Sequence, residues 1–172
     1  HAQSHAQSHA HAPQKPLEGR AGDVVALVFT SVECPVATAM APDLGRSLRE
    51  LRQRGIRCYL VYPRSGITEG DMRNHAAAYG LDAVQVADPD KRLCRLLGAD
   101  ITPQGYVIDF DSKGEWHVRY RGRINDLYAS IGNRRDLAAQ HEWRDAALAT
   151  ISGTPVSSDQ PPAVGCMIEM SP

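Results

Sequence analysis

The sequence has few of the features that mark several common functional classes. Its 172 residues contain no apolar run long enough to cross a bilayer. Lysine plus arginine (19) and aspartate plus glutamate (20) nearly cancel, leaving a formal net charge of −1. No basic stripe breaks that balance, so nucleic acid and anionic membrane surfaces drop out as expected partners. There is no Gly-rich phosphate loop, no workable Ser-His-Asp order, and no zinc-ligand cluster in the body of the chain. No cofactor is therefore expected. Four cysteines, at Cys34, Cys58, Cys94 and Cys166, are too few to staple a mini-protein and too scattered for a zinc knuckle.

What is present is an ordinary globular composition with 42% apolar residues, enough for one domain with a real core. The first residues, HAQSHAQSHAHAP, repeat small and polar residues and read as a disordered arm over residues 1–20. A single domain is expected over 21–152, followed by an irregular Pro/Ser-rich tail over 153–172 that carries Cys166. The numbering begins at a histidine, and a secretion signal removed upstream would account for it.

Within the domain, strands and helices alternate. VVALVFT (from Val24) reads as a buried strand. From Pro35, the spacing of Val36, Met40, Leu44, Leu48 and Leu51 predicts an amphipathic helix ending near Arg54, with a kink at Pro42. IRCYLVYP is a second strand. Thr68 to Gly80 is a threonine-capped helix, VQVAD a short strand, and Pro89 to Gly98 a short helix. YVIDF and WHVRYRG form a hairpin, and a last helix is expected over 137–151. This order implies an α/β fold: a central mixed sheet flanked by helices, with its chemistry at the carboxyl ends of the strands. Cys34 stands at such an end, directly before a helix start.

A strand ending in a cysteine, a helix with a proline eight residues on (Cys34, Pro42), and a later Thr102-Pro103 before a YVID strand together resemble the thioredoxin superfamily. The α-β-α block between residues 64 and 98 resembles the insertion of its redoxin branch, which holds the TlpA-like and peroxiredoxin-like (AhpC/TSA-type) proteins. The resemblance implies a thioredoxin-like fold and a cis Pro103, preceded by Thr102, packed against a nucleophilic Cys34. It also implies thiol or disulfide partners (a protein, a small-molecule thiol reductant, or a peroxide) and a periplasmic or secreted location. One departure stands out: the tetrapeptide is Cys34-Pro35-Val36-Ala37, with alanine where a resolving cysteine would be.

A helix N-terminus favours a thiolate at Cys34, while the neighbouring Glu33 opposes it. Cys58 and Cys94 lie on apolar faces and read as buried small hydrophobes. Cys166, in PPAVGC, is the internal candidate for a resolving thiol, since an extended run from Gly153 reaches the strand ends at about 3.3 Å per residue. Ser31, three residues before Cys34, matches the peroxiredoxin hydroxyl, but Leu27 stands at the place of the upstream proline. Thiol–disulfide exchange is expected ahead of peroxide reduction.

Two alternatives stay open. One is a non-catalytic binding module. The other is a copper carrier of the Sco type, against which Thr30 replaces the first ligand cysteine and Ile101-Thr102-Pro103 holds no histidine. His1, His5, His9 and His11 offer imidazoles for a loosely held metal ion. His75, His117 and His141 read as structural. Arg121, Arg123 and Asp126 are expected either to pair locally or to line a partner surface.

Overall fold

The computed structural model describes residues 15–170. Its frame is a five-stranded sheet in the order β3-β2-β1-β5-β6. These strands are β1 (Val24–Phe29), β2 (Arg57–Tyr62), β3 (Val84–Ala87), β5 (Gln104–Phe110) and β6 (Trp116–Gly122). β1, β2 and β3 run parallel, whereas β5 lies antiparallel to β1 and β6 antiparallel to β5. The helices are α1 (Pro35–Gln53), α2 (Glu69–Ala78), α3 (Arg92–Leu97) and α4 (Glu142–Ile151). This is the thioredoxin-like mixed sheet, with the α2-β3-α3 block inserted after β2.

Strand periodicity splits the core in two. Side chains alternate across a strand, so Val24, Ala26 and Val28 face α1, α2 and α4 while Val25, Leu27 and Phe29 face α3. Every residue of β1 is buried, as expected of a central strand covered on both sides. α1 follows its apolar spacing and continues through Pro42 as one 19-residue helix. α2 is closed by a capping box, with Thr68 Oγ1 accepting from the Asp71 amide and Asp71 from the Thr68 amide. Trp143 of α4 is fully buried and donates its indole N–H to Tyr106 O at 3.0 Å. It lies over Gly105, where a Cβ would stand 2.5 Å from its ring.

The structure departs from the sequence expectations in several places. The last helix starts at Glu142, not 137, because the Asp126 carboxylate accepts from the Ala139 and Gln140 amides and holds that segment out of a helix. A small hairpin, β7 (Tyr128–Ser130) with β8 (Asn133–Arg134), precedes it. The third helix begins at Arg92 rather than Pro89, after Lys91 in the left-handed conformation. Of the expected arm, residues 1–14, with all four of its candidate histidine ligands, lie outside the described residues. Residues 15–20 are tied down: Pro16 is buried, Leu17 packs on the α3-side core, and Gly19 lies against Phe110.

The tail is not wholly irregular. Gln160 donates to Arg119 O and accepts from the Arg121 amide, and Pro161 O accepts from the Arg123 amide, so the tail lines the outer edge of β6. It then forms β9 (Cys166–Met167) against β4 (Ile101–Thr102), with Thr102 opposite Cys166. No described helix is long and apolar enough to cross a membrane.

Candidate active site

β1 ends at Phe29, and the chain turns through Thr30 to Glu33 into α1, leaving Cys34 as the residue that caps the helix. Pro35 starts the helix, where no amide donor is needed. Its first turn carries no acidic side chain, so nothing else claims the free amides. Cys34 is 2% exposed, and its S–H donates to Thr102 O at 3.3 Å. The Thr102–Pro103 peptide is cis. Cys34, Cys166, Thr102 and Pro103, expected to act together, are therefore gathered in one place, with Pro103 just behind the β4–β9 pairing.

The tail brings Cys166 there by close backbone approach. A Cβ on Gly165 would lie 2.0 Å from Thr102 O and 3.1 Å from Pro103 Cδ, so no larger residue fits the crossing. Beyond Cys166, the Ile168 amide donates to Asp100 O at 2.8 Å and the Ile168 side chain enters the α3-side core. Thr102 Oγ1 donates weakly to Cys166 O at 3.5 Å.

The two thiols ionise differently. Burial opposes ionisation of Cys34, yet hydrogen bonds from the Cys166 thiol and from the Ala37, Val36 and Cys166 amides outweigh it, and its pKa lies below the ordinary 9.0. For Cys166, burial first, then the hydrogen bond to Cys34 and that neighbour's charge, push the pKa up to about 11. The pair therefore holds its first negative charge on Cys34. All four cysteines are free thiols. The neighbouring Glu33 carboxylate pairs with Arg64 at 3.3 Å.

A cavity of about 430 Å³ opens over the pair. Thr30, Val32, Ile67 and Met167 line it together with the polar groups of Ser31, Arg64, Ser65, Lys91 and Glu169. Ser31 Oγ accepts from the Glu33 amide at 3.2 Å, so the hydroxyl matched to peroxiredoxins is engaged in the turn. Lys91, which has no motif in the sequence to reveal it, lines this cavity from a left-handed backbone position just before α3.

The remaining polar residues lie elsewhere. His75 pairs with Tyr62 OH, His117 with Asp111, and His141 with Asp43, which also accepts from Asn125. Arg121, Arg123 and Asp126 do not form one network. Arg121 binds Tyr106 OH and Gly98 O, Arg123 binds Glu142, and Asp126 faces Arg135. Among the described residues no group of three or more histidine, cysteine or acidic side chains could hold a metal ion.

Comparison with known proteins agrees with this architecture. A hypothetical protein of Sinorhizobium meliloti superposes with a TM-score of 0.74 at 21% identity, covering 87% of this chain and 81% of its own. An uncharacterized conserved protein of Geobacillus kaustophilus gives 0.72 at 20% identity, with coverages of 89% and 80%. A thioredoxin-like protein solved in its oxidised form gives 0.55 at 17% identity, with coverages of 80% and 82%. At these identities the likeness is one of fold. No curated protein sequence matches the chain. The profile of the AhpC/TSA family, however, matches residues 7–117, a span that holds Cys34 and Thr102-Pro103 and stops short of Cys166. The chain belongs to the AhpC/TSA family.

Proposed function

We propose that this protein is a thiol oxidoreductase that performs thiol–disulfide exchange with Cys34 as nucleophile and Cys166 as its resolving partner. The observation that carries this reading is that Cys166 lies opposite Thr102 in the β4–β9 pairing while the Thr102 carbonyl accepts from the Cys34 thiol at 3.3 Å, so that both cysteines line one cavity. It supplies from the tail what Ala37 lacks within the motif.

In the first step the Cys34 thiolate attacks one sulfur of a substrate disulfide. A Cys34–substrate bond forms, the substrate S–S bond breaks, and the other half leaves as a thiolate. That step removes the negative charge from Cys34, and with it part of what holds the Cys166 pKa high. Cys166 then loses its proton to the departing thiolate or to water and attacks Cys34 Sγ, expelling the second substrate thiolate. The two cysteines have given two electrons to the substrate and become a disulfide, which an external dithiol resets. The reverse direction would oxidise a substrate dithiol. Exchange is favoured over peroxide reduction because Thr102-Pro103 stands beside Cys34 and Leu27 occupies the place of the peroxiredoxin proline. The periplasmic or secreted location expected from the resemblance belongs to this proposal.

The test is peptide mapping by mass spectrometry after one equivalent of a small disulfide or of hydrogen peroxide, on wild type and Cys166→Ser. The expected result is a Cys34–Cys166 bridge in wild type, formed faster with the disulfide; in the variant the disulfide leaves a trapped Cys34–substrate disulfide and peroxide leaves a sulfenic acid on Cys34. An unmodified Cys34 in both proteins would overturn the reading.

A further inference from the structure

Lys91 is the one non-glycine residue with a positive φ (56°) among those described. That conformation disfavours an L side chain and is usual for glycine or asparagine. Capping does not explain the lysine. α3 is capped by Asp88, whose two carboxylate oxygens accept from the Leu93 and Cys94 amides at 3.1 Å each. The Lys91 side chain points instead into the Cys34 cavity and is 9% exposed. Among the described residues its ammonium meets one partner, the Ser65 hydroxyl at 3.4 Å, and takes part in no ion pair. A buried cation without a counter-ion is costly, and strain of this kind persists where the surroundings enforce it, often at a ligand site.

We propose that Lys91, with Ser65 beside it, forms an anion-binding subsite that seats the carboxylate of a low-molecular-weight thiol or disulfide while its sulfur meets Cys34. Resting on the exchange reading, this names the substrate class. The cavity, at about 430 Å³, suits a small molecule. The alternative of an extended polypeptide adding a strand to β4 meets an edge already filled by β9. Val32 and Ile67 give apolar walls for the carbon and sulfur portion. Glu33 pairs with Arg64, and Glu169, also on the lining, is exposed, leaving Lys91 as the buried charge that a carboxylate would meet.

The test measures oxidation of Cys34 by matched disulfides at low ionic strength: 3,3′-dithiodipropionate (anionic), bis(2-hydroxyethyl) disulfide (neutral) and cystamine (cationic). In wild type the anionic reagent is expected to react about tenfold faster than the neutral one, with cystamine slowest. Lys91→Met should bring the anionic-to-neutral ratio to about one, and Lys91→Arg should keep it above one. A ratio unchanged by Lys91→Met would overturn the subsite.

A second measurement separates the subsite from the chemistry. Cys34→Ser, which cannot exchange, should bind glutarate with amide shifts at Lys91 and Ser65 in heteronuclear NMR, and Lys91→Met in that background should abolish them. Glutarate binding without any disulfide reaction would uphold the anion site and sink the exchange reading. No glutarate binding would overturn the anion site whether or not disulfides react.

Discussion

Cys34 and Cys94 both stand at the start of a helix and are both nearly removed from solvent, yet they ionise in opposite directions. Cys94 is 0% exposed; burial first, then the charge and hydrogen bonding of Asp88, raise its pKa to about 12. Cys34 is 2% exposed and lies below 9.0. The difference is what occupies the free amides of the helix. At α3 a carboxylate takes them, so the nearby thiol meets a negative charge. At α1 no acidic residue is present in the first turn, and the amides with the Cys166 thiol are left for the sulfur. Cys58, far from any helix start, behaves like Cys94, at about 12. A helix N-terminus thus activates a thiol only when no carboxylate has claimed it first.

The sharpest way to break this comparison is to alkylate the native protein with iodoacetamide from pH 5 to 10 and quantify each cysteine by mass spectrometry. As pH rises, the thiolate fraction of Cys34 should climb with a midpoint below 9.0, while Cys58 and Cys94, at about 12, stay protonated throughout. At pH 7 a gap of three units or more is about a thousandfold in thiolate. Even after the lower nucleophilicity of the more acidic thiol, Cys34 should react at least about thirtyfold faster. A Cys34 midpoint at or above that of an ordinary thiol would refute the role given to the amides.

A smaller effect should follow from Gly165→Ala. Its Cβ would meet the Thr102 carbonyl oxygen at 2.0 Å, and that oxygen is backbone and cannot swing away. The tail should lift from β4, slowing formation of the Cys34–Cys166 bridge by roughly tenfold, since small misplacements of reacting atoms are expensive. The Cys34 midpoint should also move upward as the thiol donor is lost. Bridge kinetics after a small disulfide and the alkylation profile both read this, and an unchanged bridge rate would mean that the tail is held without Gly165.

The smallest change expected is in Asp88→Ala, which sharpens the comparison from the other side. Losing the cap of α3 should cost about 1 kcal/mol in denaturant unfolding. The Cys94 pKa should fall, because the nearby carboxylate that raises it is gone, while Cys34 stays as it was. A Cys94 midpoint that does not move would assign its high pKa to burial alone.

The strands and their order were legible because each carries a strong local signal. VVALVF is β-branched and apolar throughout, as suits a central strand, and the spacing from Val36 to Leu51 fits a helix alone. The break in the last helix was not legible, since it depends on Asp126 reaching amides 13 and 14 residues away. β4 and β9 are two residues each, too short for any periodicity, and exist only through each other. Lys91 shows the same limit: PDKR suggests a turn or helix start, but nothing in it says that the lysine points into the cavity of Cys34.

By itself the sequence determined that Cys34 follows a buried strand after a short turn and opens a helix, because strand run, Cys-Pro and helical spacing are close in the chain and each is a short-range preference. It also determined, through Ala37, that any resolving thiol must come from outside the motif. Tertiary structure alone decided which thiol lies there and how Cys34 ionises. Both depend on contacts across 64 to 68 residues, between Cys34 and the Thr102 carbonyl and between Thr102 and Cys166. A pKa is set by the groups that surround a sulfur in space, and chain order does not bring those groups together until the sheet has formed and the tail has crossed it.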